Sequence, residues 1–167
     1  MSFNEGEKNE SARLSTVALS SFCARLRAAA GHDGSEPAST SSRRECSVAA
    51  NKKLVFDFWR EVFQTHDMTS APKYMAEDYM QHNPNVPTGR QPFIDFFGRL
   101  PRQPVKAEID NLVTILAEGD KVVLAFRREL PDPQNAGKTY TTTWFDMFRI
   151  KDGKLAEHWD YGTKAAK

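Results

Sequence analysis

Neither sign of charge prevails in this chain of 167 residues, whose 23 basic and 22 acidic side chains leave a formal charge of +1. A balance this close to neutral builds no long-range field to gather a polyanion, which argues against nucleic acid or an anionic membrane as partner. Long apolar runs are also missing: polar residues interrupt every hydrophobic stretch short of the ~18 positions that a membrane-spanning helix needs. The expectation is a soluble, cytoplasmic protein. Cysteine is scarce, with only Cys23 and Cys46, placed neither as a CxxC pair nor as a framework able to staple a small secreted domain. A reduced intracellular compartment is the simplest reading. No phosphate-cradling glycine loop, GxSxG elbow or HExxH helix occurs, and no nucleic-acid-binding signature.

Aromatic residues are nearly absent from one end, since residues 1–50 hold only Phe3 and Phe22 and are rich in Ser, Ala and Gly. Such a composition lacks the material for a core. Leu14, Val17, Leu19, Phe22, Leu26 and Ala29 could form one weakly amphipathic helix, with Arg13, Arg25 and Arg27 giving a partial likeness to an import peptide. Glu5, Glu7 and Glu10 oppose mitochondrial import, because transit peptides are poor in acids. Residues 1–50 therefore read as a disordered or weakly helical extension, and residues 51–167 as the domain.

From Asn51 the periodic signals sharpen. Asn51 is a plausible N-cap, and Leu54, Val55, Phe58, Trp59, Val62 and Phe63 recur on one helical face. Ser70 and Pro72 open a second, short helix, and Tyr79 to Asn83 reads as a strand stopped by Pro84. Thr88 and Pro92 mark a third helix, with Phe93, Ile94, Phe96, Phe97 and Leu100 on its face. Strands follow over Val105 to Ala117, Lys121 to Leu130, Thr139 to Ile150 and Leu155 to Thr163, the last two joined at Asp152 and Gly153. Helices first and antiparallel strands afterwards define an α+β fold with segregated layers.

The chemistry concentrates in the last hairpin, where register decides which side chains share a face. A two-residue turn at Asp152 and Gly153 puts Asp146 opposite Trp159 and apart from His158. A three-residue turn over Lys151 to Gly153 puts Asp146 opposite His158, and Trp144 opposite Asp160. The second arrangement is preferred, because it gathers Asp146, His158 and Asp160 inside an aromatic enclosure. A carboxyl in such surroundings has its charged form disfavoured and can exchange a proton near neutrality, with an imidazole beside it as donor. A satisfied structural ion pair is the competing reading. Tyr79, Gln81, His82 and Asn83 form a second polar cluster able to orient a carbonyl. Trp59 is better explained as core, although it could line the pocket's inner end. His82, Asp146, His158 and Asp160 would suit zinc or iron in kind. Without a local HxH or HExxH pair, no metal and no other cofactor is expected.

Three segments, "KLVFDFWREVFQTHD", "YMAEDYMQHNPNVPTGRQPFIDFF" and "WFDMFRIKDGKLAEHWD", together resemble the SnoaL-like polyketide cyclase family of the nuclear transport factor 2-like superfamily. The resemblance covers about two-thirds of the chain. It implies a curved antiparallel sheet wrapped round three helices into a cone, usually dimeric through the sheet's outer face. It also implies a lyase or isomerase type of acid/base chemistry without a cofactor: aldol closure or isomerisation of a hydrophobic, polyketide-like carbonyl compound. In that picture Asp160 matches the carboxylate on the last strand, and His158, His82 and Asn83 match pocket positions. Asp146 stands where the cyclases often carry His, a departure that bears on the substrate. The same superfamily contains dehydratases, epoxide hydrolases and non-catalytic binding or dimerisation modules, and fold alone does not choose among them.

Overall fold

A computed structural model describes residues 40–164 of the chain. The amphipathic stretch expected over Leu14 to Ala29 lies outside the described residues. The chain divides after Ala50, and of the first part Thr40 to Ala50 is helical. Cys46 in this helical stretch is disulfide-bonded, which departs from the expectation of reduced cysteines. No helix among the described residues is long and apolar enough to cross a membrane.

Helix α1 spans Thr40–Phe58 and continues as a wider π turn over Trp59–Phe63. Asn51 therefore sits inside the helix rather than capping it, and its amide nitrogen donates to the Gly119 carbonyl at 3.0 Å. A long-range partner for the side chain removes the need for a local cap. The apolar face is as expected: Val55, Phe58, Trp59 and Val62 are buried. The helix ends where the Thr65 hydroxyl donates back to the Glu61 carbonyl at 2.7 Å and His66 turns left-handed at φ 57°.

A single helical turn, α2 (Ala71–Tyr74), has Pro72 at its start, where the missing amide hydrogen costs nothing. Strand β1 (Met75–Gln81) follows at once. It begins four residues before the expected strand and ends before His82. After a loop, α3 (Arg90–Phe97) starts behind Gly89, whose φ of 101° is open to few side chains. Strand β2 (Leu112–Glu118) is much shorter than expected. Pro101 and Pro104 keep the preceding chain irregular, and Asn111 at φ 58° interrupts extended pairing just before the strand. Strands β3 (Lys121–Pro131), β4 (Thr139–Lys151) and β5 (Lys154–Asp160) complete the set.

The strands form one curved open sheet in the order β1-β5-β4-β3-β2. β2, β3, β4 and β5 run antiparallel to their neighbours in a meander. β1 pairs with β5 in parallel, so the sheet is mixed rather than wholly antiparallel. The helical segment between Asn51 and Phe63 lays its aromatic face on the sheet's inner side. There Phe58 packs against Tyr74, Phe93 and Phe148, with ring centroids 6.1, 6.2 and 5.9 Å away. Burying a ring of this size contributes on the order of 2–3 kcal/mol, and edge-on contacts between rings add to it.

Phe58 is 1% exposed and central to that cluster. Phe58→Ala is expected to lower unfolding free energy by about 3–5 kcal/mol in equilibrium urea denaturation; a loss under about 1 kcal/mol would contradict this packing.

Candidate functional site

The hairpin between β4 and β5 decides which polar side chains meet. Asp152 and Gly153 both have positive φ, 51° and 70°, as a two-residue hairpin turn of the primed kind requires. Lys151 pairs with Lys154, and Ile150 with Leu155. The register then slips: Arg149 pairs with Glu157, leaving Ala156 as an extra residue on β5. Beyond this bulge Phe148 faces His158 and Asp146 faces Asp160. Neither expected register is realised. The shared face nevertheless survives, because a two-residue turn followed by a one-residue bulge restores the same parity as a three-residue turn. Asp146, Phe148, His158 and Asp160 therefore all reach the inner side.

β1 brings the fourth polar group. Its parallel pairing sets Gln81 beside His158, and Gln81 Oε1 lies 3.0 Å from His158 Nδ1. The other ring nitrogen, Nε2, lies 3.0 Å from Asp146 Oδ1. The imidazole stacks on Phe148 at 4.5 Å between centroids, so the aromatic core runs directly into the site. Asn83, just past β1, donates its side-chain amide to Asp160 Oδ2 at 3.0 Å. Gly162 crosses against this amide so closely that a Cβ there would lie 2.7 Å from Asn83 Oδ1.

Asp146 is only 3% exposed. Desolvation is the largest influence on it and raises its carboxyl above the ordinary range, against the opposing pull of His158 and with a smaller push from Asp160. The Trp144 indole is near enough to favour the charged form slightly, yet Oδ2 of Asp146 and Oδ1 of Asp160 are buried without a hydrogen-bond partner. Tyr79 is fully buried alongside, and its phenol is pushed well up, first by burial and then by the Asp160 and Asp146 charges. The Gln81 amide nitrogen approaches its hydroxyl at 3.4 Å.

The structure thus joins Asp146, His158, Asp160, Gln81, Asn83 and Tyr79. It does not bring His82 to them. His82 lies beyond the strand end on the sheet's outer side, stacked flat on Trp159 at 4.8 Å and 2.7 Å from Glu157 Oε1. Glu157 is held low by His82 and then by Arg149. Neighbouring residues on a strand point to opposite faces, so Gln81 and His82 could not both belong to the inner site. Trp59 lies between Phe63 and Phe126, at 4.4 and 4.8 Å, and touches the site only through Phe148. Trp144 is half-buried beneath Arg128 and edge-on to Tyr161. With Asp160 it borders a cleft of about 300 Å³ whose other lining includes Thr143, Phe145, Met147 and Trp159, residues of the sheet's outer face rather than of the Asp146 and His158 side. The proximity of Gln81 to His158 escapes the sequence, because nothing local signals that β1 pairs in parallel with β5.

Asp146, His158 and Asp160 each offer a ligand atom, and these lie within 4.8 Å of one another. Zinc with bonds of about 2.1 Å holds tetrahedral ligands roughly 3.4 Å apart, so the trio would have to contract and release the His158–Asp146 contact to hold it.

The family model described as the SnoaL-like domain matches residues 55–158, more than half of the chain. The protein belongs to this family, and its fold is that of the nuclear transport factor 2-like proteins. No curated protein matches the sequence. Among solved structures, a candidate polyketide cyclase from Xanthomonas campestris is 22% identical, with 70% of this chain and 92% of that one covered at a TM-score of 0.50. An LEH-like epoxide hydrolase from Mycobacterium tuberculosis is 16% identical over 69% and 84%, at 0.49. TsrD from Streptomyces laurentii is 22% identical over 69% and 87%, at 0.40. At such identities the likeness speaks for the fold alone.

Because folding raises the Asp146 pKa, its stabilising contribution is fully present below the unfolded value of about 3.9 and is lost as pH rises through the folded value. Asp146→Asn cannot ionise. Its melting temperature is expected to gain on the native protein's as pH rises from acid to neutral, measured by calorimetry across that range; a constant difference would contradict the shift.

Proposed function

We propose that the protein is a cofactor-independent acid/base enzyme acting on a hydrophobic carbonyl compound, by aldol closure or isomerisation. The observation that carries this reading is a pair of facing carboxyls in contrasting surroundings. Asp160 is half-buried and accepts from the Asn83 amide, an arrangement suited to a carboxylate base. Asp146 is deeply buried, and burial raises its carboxyl above the ordinary range against the pull of His158, which suits it to a donor's part. Two carboxyls in unlike surroundings can divide the acid and base roles between them.

In this scheme Asp160 takes the proton from the carbon next to the substrate carbonyl. Asp146, backed by His158, donates a hydrogen bond to the oxygen on which charge develops and keeps its own proton. The enolate then attacks a second carbonyl or is reprotonated at another carbon, and Asp160 returns the proton it took. Charge and protons balance without any other reactant. Phe148, stacked on His158, and the buried Tyr79 give the surroundings of these groups an aromatic character that favours a ring-bearing substrate.

Two features support association of two copies through the outer sheet face. Leu116 and Phe145 are 58% and 56% exposed there, and the family resemblance points to the same face. Phe145→Glu is expected to shift a dimer to monomers in sedimentation velocity; an unchanged profile would place any association elsewhere.

The chemical reading is tested by deuterium uptake next to the carbonyl of benzoylacetone in heavy water, followed by proton NMR. The native protein is expected to exceed the buffer rate, and Asp160→Asn to lose about 10²- to 10⁴-fold of that excess while keeping its circular dichroism. Undiminished uptake in the variant would leave the non-catalytic binding module as the better reading.

A further inference from the structure

His158 was expected to face the substrate itself, yet both of its ring nitrogens are engaged, by Gln81 Oε1 and Asp146 Oδ1, each at 3.0 Å. The identity of the Gln81 atom is fixed independently. Gln81 Oε1 also accepts from the Asn83 backbone N–H at 3.0 Å, and a backbone N–H can only donate. Turning the amide over would set its NH₂ against that N–H, donor against donor. The atom at this position is therefore the oxygen, and an oxygen so placed calls for a proton on His158 Nδ1.

We propose that Gln81 is a positioning residue that locks His158 with its proton on Nδ1 and so leaves Nε2 as the nitrogen turned to Asp146 Oδ1. The ring cannot escape this choice by rotating, since Phe148 stacks on its face and the residue is 7% exposed. The titratable groups around it are Asp146 on β4, Asp160 on its own strand and Tyr79 on β1. Asn83 then supports both arms of the site: its backbone N–H orients Gln81, and its side chain orients Asp160. Resting on the acid/base reading above, the lock leaves the imidazole no nitrogen to meet a substrate oxygen, and Asp146 donates through Oδ2 only while Nε2 carries its own proton toward Oδ1.

Nitrogen-15 NMR of the full chain with labelled histidine tests the lock without any substrate. In the native protein Nδ1 is expected to carry a directly bonded proton. Gln81→Leu should release the neutral ring toward the Nε2–H form, and Gln81→Glu, which restores an acceptor, should return it to Nδ1–H. A native spectrum with bare Nδ1, or a Gln81→Leu spectrum unchanged from native, would overturn the proposal. The native spectrum decides the tautomer even if a variant fails to fold. Uptake of deuterium that survives Asp160→Asn would remove the acid/base reading and leave this result standing.

Discussion

One extra residue in one strand governs the interior. The bulge at Ala156 converts the register imposed by the tight Asp152–Gly153 turn into one that sets Asp146 against Asp160 and Phe148 against His158. Because strand side chains alternate, a ladder continuing from that turn without the bulge would send Asp146 and Asp160 to opposite faces. A bulge costs a ladder contact locally. Here it places two carboxyls and an imidazole on a surface otherwise made of Leu124, Phe126 and Phe148.

Such a placement is expensive unless each polar group is answered. His158 is answered on both sides, and Asp160 by Asn83. The groups left over are one oxygen on each aspartate. Buried acceptors without partners cost free energy that a purely structural network would have little reason to retain. Their position together on one sheet face, beside the Phe58 and Phe148 contacts, is what gives the arrangement a chemical meaning.

The helix over Leu54–Phe63 and the strands of the meander were legible because each carries its own period: 3.6 in Val55, Phe58, Trp59 and Val62, and 2 in Val122, Leu124 and Phe126. The start of α1 was not, since Asn51 reads locally as a cap but bonds to Gly119, 68 positions away. The early strand boundary at Val105 failed for a related reason: apolar residues there suggest extension, whereas the prolines and the left-handed Asn111 deny it a partner. Alternation along the strands is what gathers Asp146, His158 and Asp160 on one face, and alternation carried past the end of β1 is what turns His82 to the other.

The sequence by itself determined the class of fold, the family and the set of residue types available for chemistry, since these follow from periodicity, turn residues and the three matched segments. Tertiary structure alone decided that Gln81 meets His158, that His82 points away, and that a bulge rather than a longer turn brings Asp146 to Asp160. Those contacts join positions up to 77 residues apart, and a hydrogen bond between distant strands leaves no periodic trace in either segment.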